Sequence, residues 1–96
     1  MLILVCYDVS TETARGRKRL RRVAKSCEAV CQRVQKSVFE CQLDPGQFAQ
    51  LMARLRREMS ERDDSLRIYR LLEPRGQYLV TLGRQIPYDL HDPLVL

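Results

Sequence analysis

The sequence predicts an α+β fold of one domain, in which an antiparallel sheet carries two helices on one face. The 96 residues leave room for a single hydrophobic core. Two stretches place apolar residues at helical spacing, and short runs with strand character lie around them. The predicted order is strand, helix, strand, strand, helix, strand, a short fifth strand and a tail: Met1–Asp8, Ala14–Cys27, Glu28–Val34, Ser37–Leu43, Pro45–Met59, Ser65–Leu72, Gln77–Leu82 and Gly83–Leu96.

The first strand is apolar without interruption until Tyr7 and ends at a carboxylate, Asp8. A short apolar run of this kind predicts a strand that is buried on both faces and therefore lies in the middle of the sheet. Asp8 has two interpretations. It is either a turn or capping residue that accepts backbone N–H groups, or a metal-binding carboxylate at the edge of the sheet.

The first helix begins after capping residues at Ser10–Thr13 and has one apolar stripe. Residues 1–43 contain nine Lys and Arg against four Asp and Glu, whereas residues 44–96 contain eight of each. An ordinary solvated face mixes charges of both signs, but this helix has no acid between its first and last cation. We therefore favour a phosphate-binding face. Its cations are Arg15, Arg17, Lys18, Arg19, Arg21, Arg22 and Lys25.

The two middle strands alternate apolar and polar residues, and Gln35 and Lys36 are predicted to form the hairpin turn between them. Asp44, Pro45 and Gln47 predict the start of the second helix, as N-cap, first helical residue and capping-box partner. The complete order is that of the split βαβ, or ferredoxin-like, fold.

The chain divides into a ferredoxin-like domain, residues 1–82, and a tail, residues 83–96. The helices cover one face of the sheet, and we expect a second copy to cover the other in a two-fold homodimer. The tail ends in three apolar residues, Leu94, Val95 and Leu96. We expect it to dock on the dimer mate or on a partner.

The four cysteines include no C-x-x-C pair and lie in apolar surroundings, which predicts buried, reduced thiols. A zinc site built from Cys27, Cys31 and His91 can be drawn, but its spacing matches no standard pattern. No apolar run approaches the roughly 20 residues of a membrane span, and no secretory signal is visible. We expect a cytoplasmic protein without a membrane partner.

Several catalytic classes are disfavoured. The single histidine, His91, has no nucleophile pattern around it, and no glycine-rich phosphate loop is present. Tyr7 and Phe39 are too few aromatic residues for an RNA-recognition domain. Asp8 and the cations remain. Two Asp8 carboxylates that meet across a dimer axis would hold one Mg²⁺ ion, which suits phosphodiester hydrolysis. The residues alone predict a nucleic-acid-binding dimer and leave a metal nuclease open.

Specific motifs carry a resemblance to a family. The apolar strand ends in Tyr7-Asp8-Val9, an arginine-rich helix follows, and residues 32–40 read QRVQKSVFE. With the Asp44-Pro45 helix start and the Leu66–Tyr69 strand, these features resemble the CRISPR-associated protein 2 family over residues 1 to about 82. The tail is similar to that of type I, subtype C systems.

The resemblance implies a ferredoxin-like homodimer that acts with the CRISPR-associated integrase in spacer acquisition. Members are described as Mg²⁺-dependent endonucleases on single-stranded RNA or double-stranded DNA. An alternative function is a non-catalytic dimeric scaffold that holds duplex DNA in the integrase complex. By matching motifs, the catalytic set is Asp8 (also the metal ligand), Tyr7, Ser37 and Phe39. The nucleic-acid-binding set combines matched positions with the basic helix and comprises Arg15, Arg17, Lys18, Arg19, Arg22 and Arg33.

Overall fold

The computed structural model describes residues 1–71 and 79–83, which form four strands and two helices. Residues 79–82, from the predicted fifth strand, adopt no strand, and the remainder of that strand and residues 84–96 of the tail lie outside the described residues. The division at residue 82 and the docking of the tail stay predictions. In chain order the elements are β1 Leu2–Asp8, α1 Ala14–Glu28, β2 Gln32–Gln35, β3 Val38–Gln42, α2 Pro45–Glu58 and β4 Ser65–Leu71.

The sheet has the order β2-β3-β1-β4, and all its pairs are antiparallel. β1 is central, as its apolar sequence predicted, with Leu4 opposite Glu40 on β3 and opposite Tyr69 on β4. The strand order confirms the ferredoxin-like α+β fold.

Only one face of β1 is fully buried. Ile3 and Val5 are completely buried in a core with Val23 of α1 and Leu55 of α2. On the other face, called here the helix-free face, alternate residues of β1 are half-buried, while Tyr69 of β4 is 44% exposed. The expectation of burial on both faces is therefore wrong for the single chain. The two helices lie on one side of the sheet, so neither of them covers the helix-free face.

α1 extends further than the sequence indicated. It continues to Glu28, the Ala29 N–H still donates to the Lys25 carbonyl, and β2 begins only at Gln32. Residues 28–34 were predicted to be a strand, but their first residues form helical hydrogen bonds instead, with the Ala29 N–H donating to the Lys25 carbonyl and the Cys31 N–H to the Cys27 carbonyl. The hairpin turn consists of Lys36 and Ser37 rather than Gln35 and Lys36, since Gln35 pairs with Val38.

The start of α2 confirms the capping prediction. The Gln47 N–H donates to the Asp44 carboxylate at 2.7 Å, and the Asp44 N–H donates to the Gln47 side chain at 2.9 Å. Pro45 occupies the first turn, where the helix uses no backbone N–H as a donor to its own carbonyls, so the missing N–H of proline costs no hydrogen bond.

Two of the cysteines are not free thiols. Cys31 and Cys41 form a disulfide, which corrects the prediction of reduced thiols for this pair. Gln32 pairs with Glu40, so the preceding and following residues face each other across the two strands at a Cα–Cα distance of 4.4 Å. Cys27 is buried, and burial raises the pKa of its thiol to about 12.

The described residues contain no group of three His, Cys, Asp or Glu side chains placed to hold a metal ion. The zinc alternative therefore loses Cys31 to the disulfide, and its third member, His91, lies outside the described residues. Within the described part of the chain, no helix is long and apolar enough to cross a membrane.

Candidate functional site

Asp8 is the last residue of β1 and is exposed. Strand alternation places it on the helix-free side of the sheet, and its backbone pairs with Ser65 at the start of β4. Within residues 1–71 and 79–83 no backbone N–H donates to its carboxylate, and Thr13 caps α1 instead. The interpretation of Asp8 as a turn or capping residue is therefore wrong, and the carboxylate is available to a ligand.

Ser37 lies at the same end of the sheet as Asp8. The Tyr7 N–H donates to the Ser37 carbonyl at 3.1 Å, so the β2–β3 turn lies beside the carboxyl end of β1. Ser37 is half-buried. The structure therefore brings Asp8 and Ser37 to one end of the sheet, as their shared assignment to the site requires.

Three other predicted site residues, Tyr7, Phe39 and Arg33, form a cluster inside the core. The rings of Tyr7 and Phe39 stack with centroids 6.1 Å apart, and the Arg33 guanidinium carbon lies 4.9 Å from the Phe39 centroid. Arg33 Nη2 donates to Glu28 Oε1 at 2.8 Å, while its buried Nε has no hydrogen-bond partner among the described residues. Burial raises the pKa of Tyr7 to about 12, so its phenol is neutral at physiological pH.

The side chains of this cluster are almost completely buried, which limits what they can contact. Phe39 is fully buried, and Tyr7 and Arg33 are 7% and 5% exposed. None of the three side chains can contact a nucleic acid in this conformation. Their catalytic and nucleic-acid-binding roles stay predictions, and their geometry favours packing beneath the end of β1.

The basic face of α1 is largely accessible. Arg15, Arg17, Lys18 and Arg22 are exposed. Arg17 Nη1 donates to the Thr11 carbonyl at 3.1 Å. Arg22 lies 3.9 Å from Glu58 with more than half of its side chain exposed, an arrangement that contributes little to stability. These four cations can reach a phosphate backbone without breaking a strong contact.

Arg19 differs from the other cations of α1. Its Nε and Nη2 donate to the two carboxylate oxygens of Asp64 at 2.9 and 3.3 Å. The Arg19 side chain is 21% exposed and that of Asp64 only 1%. The assigned nucleic-acid contact of Arg19 stays a prediction, but its guanidinium is already engaged by a buried acid.

Known proteins resemble this chain along its whole length. Residues 1–76 match the profile of the family described as CRISPR associated protein Cas2. The chain belongs to the Cas2 family. It is 54% identical over 96 residues to the CRISPR-associated endoribonuclease Cas2 1 of Moorella thermoacetica, with 100% of both chains covered. It is 46% identical over 95 residues to the CRISPR-associated endonuclease Cas2 of Halalkalibacterium halodurans, with 99% of each covered.

Solved structures share its fold. The crystal structure of Streptococcus pyogenes Cas2 at pH 6.5 has a TM-score of 0.77 and 49% identity, covering 86% of this chain and 100% of that chain. A hypothetical protein from Thermus thermophilus has a TM-score of 0.73 and 31% identity, covering 92% and 96%. The family resemblance read from the motifs is confirmed, whereas the subtype C assignment stays a prediction.

Two residues near the site were missed by sequence reasoning. Asp64 lies between the predicted second helix and the Ser65–Leu72 strand, and nothing in the sequence distinguishes it from Asp63. Gly16 had a signal, since a glycine in a helix costs about 1 kcal/mol relative to alanine and needs a reason. The reason is contact: a Cβ on Gly16 would lie 1.9 Å from the Ser10 carbonyl oxygen.

The Asp64 carboxylate should contribute to acid sensitivity. Its burial by itself raises its pKa, but hydrogen bonds from Arg19, Ser60 and Ser10 outweigh burial and hold the pKa below the usual aspartate value. A lowered folded-state pKa adds stability that is present above the unfolded-state pKa and lost as pH falls through the folded-state pKa. We expect the stability difference between wild type and Asp64→Asn to shrink as pH falls below about 4. Urea unfolding at several pH values measures it, and a constant difference would contradict the assignment.

Proposed function

We propose that this Cas2-family chain is a metal-dependent endonuclease of CRISPR adaptation, with Asp8 as the ligand of the metal. The observation that carries the proposal is the exposed Asp8 carboxylate, free of backbone donors in the described residues, at the end of the central strand. The names of the relatives support a nuclease and differ in substrate: the Moorella protein is named an endoribonuclease and the Halalkalibacterium protein an endonuclease. We therefore include single-stranded RNA and double-stranded DNA as substrates.

Mg²⁺ fits the donor that the chain offers. It prefers carboxylate oxygens, keeps several waters, and is commonly held by one or two carboxylates together with substrate phosphates. One Asp8 carboxylate would therefore supply one protein ligand for the ion, and a second Asp8 across a two-fold axis would supply another. When bound, the ion would polarise the scissile phosphate and supply an activated water.

A homodimer is part of the proposal. The helix-free face presents half-buried Leu2, Leu4 and Cys6, beside exposed Tyr69. Asp8 lies on the same side of β1. A second copy that covered this face would bury these side chains and bring the two Asp8 carboxylates towards the axis.

The other residues of the chain would hold and orient the nucleic acid. Exposed Arg15, Arg17, Lys18 and Arg22 would bind phosphates, which positions a substrate without reading its sequence. Ser37 would border the reacting phosphate from the β2–β3 turn. We further propose that the protein acts in the cytoplasm with the CRISPR-associated integrase during spacer acquisition.

Asp8→Asn tests the nuclease. We expect cleavage of RNA or duplex DNA with Mg²⁺ to fall by about 100-fold or more, because an amide replaces the charged ligand. The free energy of unfolding should stay unchanged, since the carboxylate is exposed. Asp63→Asn, another exposed acid, serves as the matched control and should cleave normally, and chelation of the metal should stop the reaction. Equal cleavage by wild type and Asp8→Asn would identify a contaminating nuclease and overturn the proposal.

The second candidate function is a non-catalytic scaffold that holds duplex DNA in the integrase complex. It is favoured by the burial of Tyr7 and Phe39, which leaves only Asp8 and Ser37 of the four predicted catalytic side chains near solvent, while the cations of α1 stay accessible. Under this function, Asp8→Asn would leave spacer acquisition intact.

Binding of duplex DNA should depend on the α1 cations in either case. For the double variant Arg15→Ala with Lys18→Ala, we expect weaker binding and a salt dependence of log K that is shallower by about 0.9 for each lost phosphate contact. The matched control removes two exposed charges from α2, Arg56→Ala with Arg57→Ala. Fluorescence anisotropy at several salt concentrations measures both. An equal loss of slope in the control would show that only net charge matters.

A further inference from the structure

One carboxylate joins three separate segments near the end of β1. Asp64 accepts hydrogen bonds from Arg19 on α1, from the Ser60 N–H at 2.9 Å, and from the Ser10 N–H at 3.2 Å. Its side chain is 1% exposed, so water cannot replace these donors. Asp63, the neighbouring acid, has a half-exposed side chain and reaches Arg19 only at 4.0 Å. The contacts therefore belong to Asp64 specifically.

The segment that Asp64 holds is the one that follows Asp8. Ser10 is two residues beyond Asp8 and lies between two fixed groups. On one side its N–H donates to Asp64, and on the other its carbonyl lies where a Cβ on Gly16 would be 1.9 Å away. The backbone at Ser10 can therefore shift little without breaking a hydrogen bond or moving the first turn of α1.

Asp64 is linked to Asp8 by a second route. Ser65, the next residue after Asp64, starts β4 and pairs with Asp8 in the sheet. The Asp8 backbone is thus bounded by Ser10 on its own chain segment and by Ser65 on the neighbouring strand. Ser10 is held to Asp64 by a hydrogen bond, and Ser65 is the next residue of the chain after Asp64.

We propose that Asp64 is a positioning residue for Asp8: together with Arg19, it fixes the backbone after β1 and thereby the place at which the Asp8 carboxylate holds a divalent cation. This inference rests on the proposed function, in which Asp8 is the metal ligand. It also reassigns Arg19, which acts as the partner of Asp64 and not as a phosphate ligand. Groups that orient a metal ligand commonly change metal affinity by 10- to 100-fold when they are removed.

The test follows metal binding at Asp8 directly. Mn²⁺ is titrated into the full-length protein, and paramagnetic broadening of the Asp8 amide resonance reports binding without any nucleic acid. We expect Asp64→Asn to need about tenfold more Mn²⁺ for half-maximal broadening, since the amide cannot accept from all three donors. The matched control, Asp63→Asn, should titrate like wild type. If Asp64 had only a structural role, Asp64→Asn would lower stability, but the folded variant would need the same Mn²⁺ concentration as wild type for half-maximal broadening.

A second pair of variants keeps the test decisive if Asp64→Asn does not fold. Arg19→Lys keeps the charge but not the two-point contact, whereas Arg19→Gln loses the charge. The expected order of Mn²⁺ affinity is wild type, then Arg19→Lys, then Arg19→Gln. Equal midpoints in wild type and every folded variant of Asp64 or Arg19 would overturn the positioning role.

The proposal and the function on which it rests fail in different ways. If Asp8→Asn binds Mn²⁺ like wild type, Asp8 is not the ligand, and both the proposed function and the positioning role are overturned. If Asp8→Asn loses the broadening while Asp64→Asn and the Arg19 variants keep the wild-type midpoint, only the positioning role is overturned.

Discussion

Phe39→Ala is expected to lower the free energy of unfolding by about 3–5 kcal/mol. Phe39, the second residue of β3, is completely buried, stacks on Tyr7 and lies under the Arg33 guanidinium. Truncation leaves a cavity and also removes the ring that contacts a buried charge. Because small domains are stable by only about 5–15 kcal/mol, this loss is a large part of the total. Chemical denaturation of the purified variant measures it.

The same variant separates packing from catalysis. Phe39→Leu keeps most of the volume and should lose clearly less stability, so it serves as the matched control. If Phe39 acts by packing, cleavage by Phe39→Leu should follow its stability and remain close to that of wild type. A Phe39→Ala protein that is as stable as wild type but inactive would contradict the packing role and support a direct part in the reaction.

Gly16→Ala should destabilise the protein, although alanine normally favours a helix. A Cβ at this position would lie 1.9 Å from the Ser10 carbonyl oxygen and 3.0 Å from its carbon, so the loop or the first turn of α1 must move. Overpacking of this kind costs about 1–3 kcal/mol and can cost more. The movement also disturbs the Ser10 N–H that donates to Asp64. Thermal unfolding measures the loss.

Gly46→Ala is the matched control for Gly16→Ala. Gly46 lies in the first turn of α2, where a Cβ would meet, within the described part of the chain, only the end of the Asp44 side chain, at 3.3 Å. We expect its stability to stay within about 1 kcal/mol of wild type, since the gain in helix propensity offsets the small adjustment. If both alanine variants were equally stable, the close approach at Ser10 would not limit this helix.

The variants of Phe39 and Gly16 change buried positions close to the chain segment that carries Asp8. The rings of Tyr7 and Phe39 stack beneath the end of β1, and the buried Asp64 carboxylate accepts from the Ser10 N–H just after it. Under the positioning proposal, substitution of Asp64 should change the place of the Asp8 carboxylate as well as stability. Asp8→Asn, by contrast, should lower metal binding and cleavage without changing the free energy of unfolding, which makes it the cleanest test of the proposed chemistry.

The sequence by itself determined the order of the elements, the central place of β1, the cap of α2 and the family. These features depend on short-range signals: side-chain periodicity, capping residues and the Tyr7-Asp8 and QRVQKSVFE motifs. The boundary between α1 and β2 was misplaced because residues 28–31 are too few for their polarity to distinguish the helical period from the strand period. The hairpin turn was misplaced by one residue because no Asn-Gly or Asp-Gly pair marks it.

Only the tertiary structure decided which of the predicted site residues are accessible. The partner of Arg19 lies 45 residues away, and the disulfide joins Cys41 of β3 to Cys31, which lies just before β2. Strand alternation turns Tyr7 into the core and leaves Asp8 at the surface, but which face the helices cover depends on how the whole chain packs. Pairings between distant residues leave no periodic mark in a sequence, since each partner is compatible with many others until folding brings one within hydrogen-bonding distance.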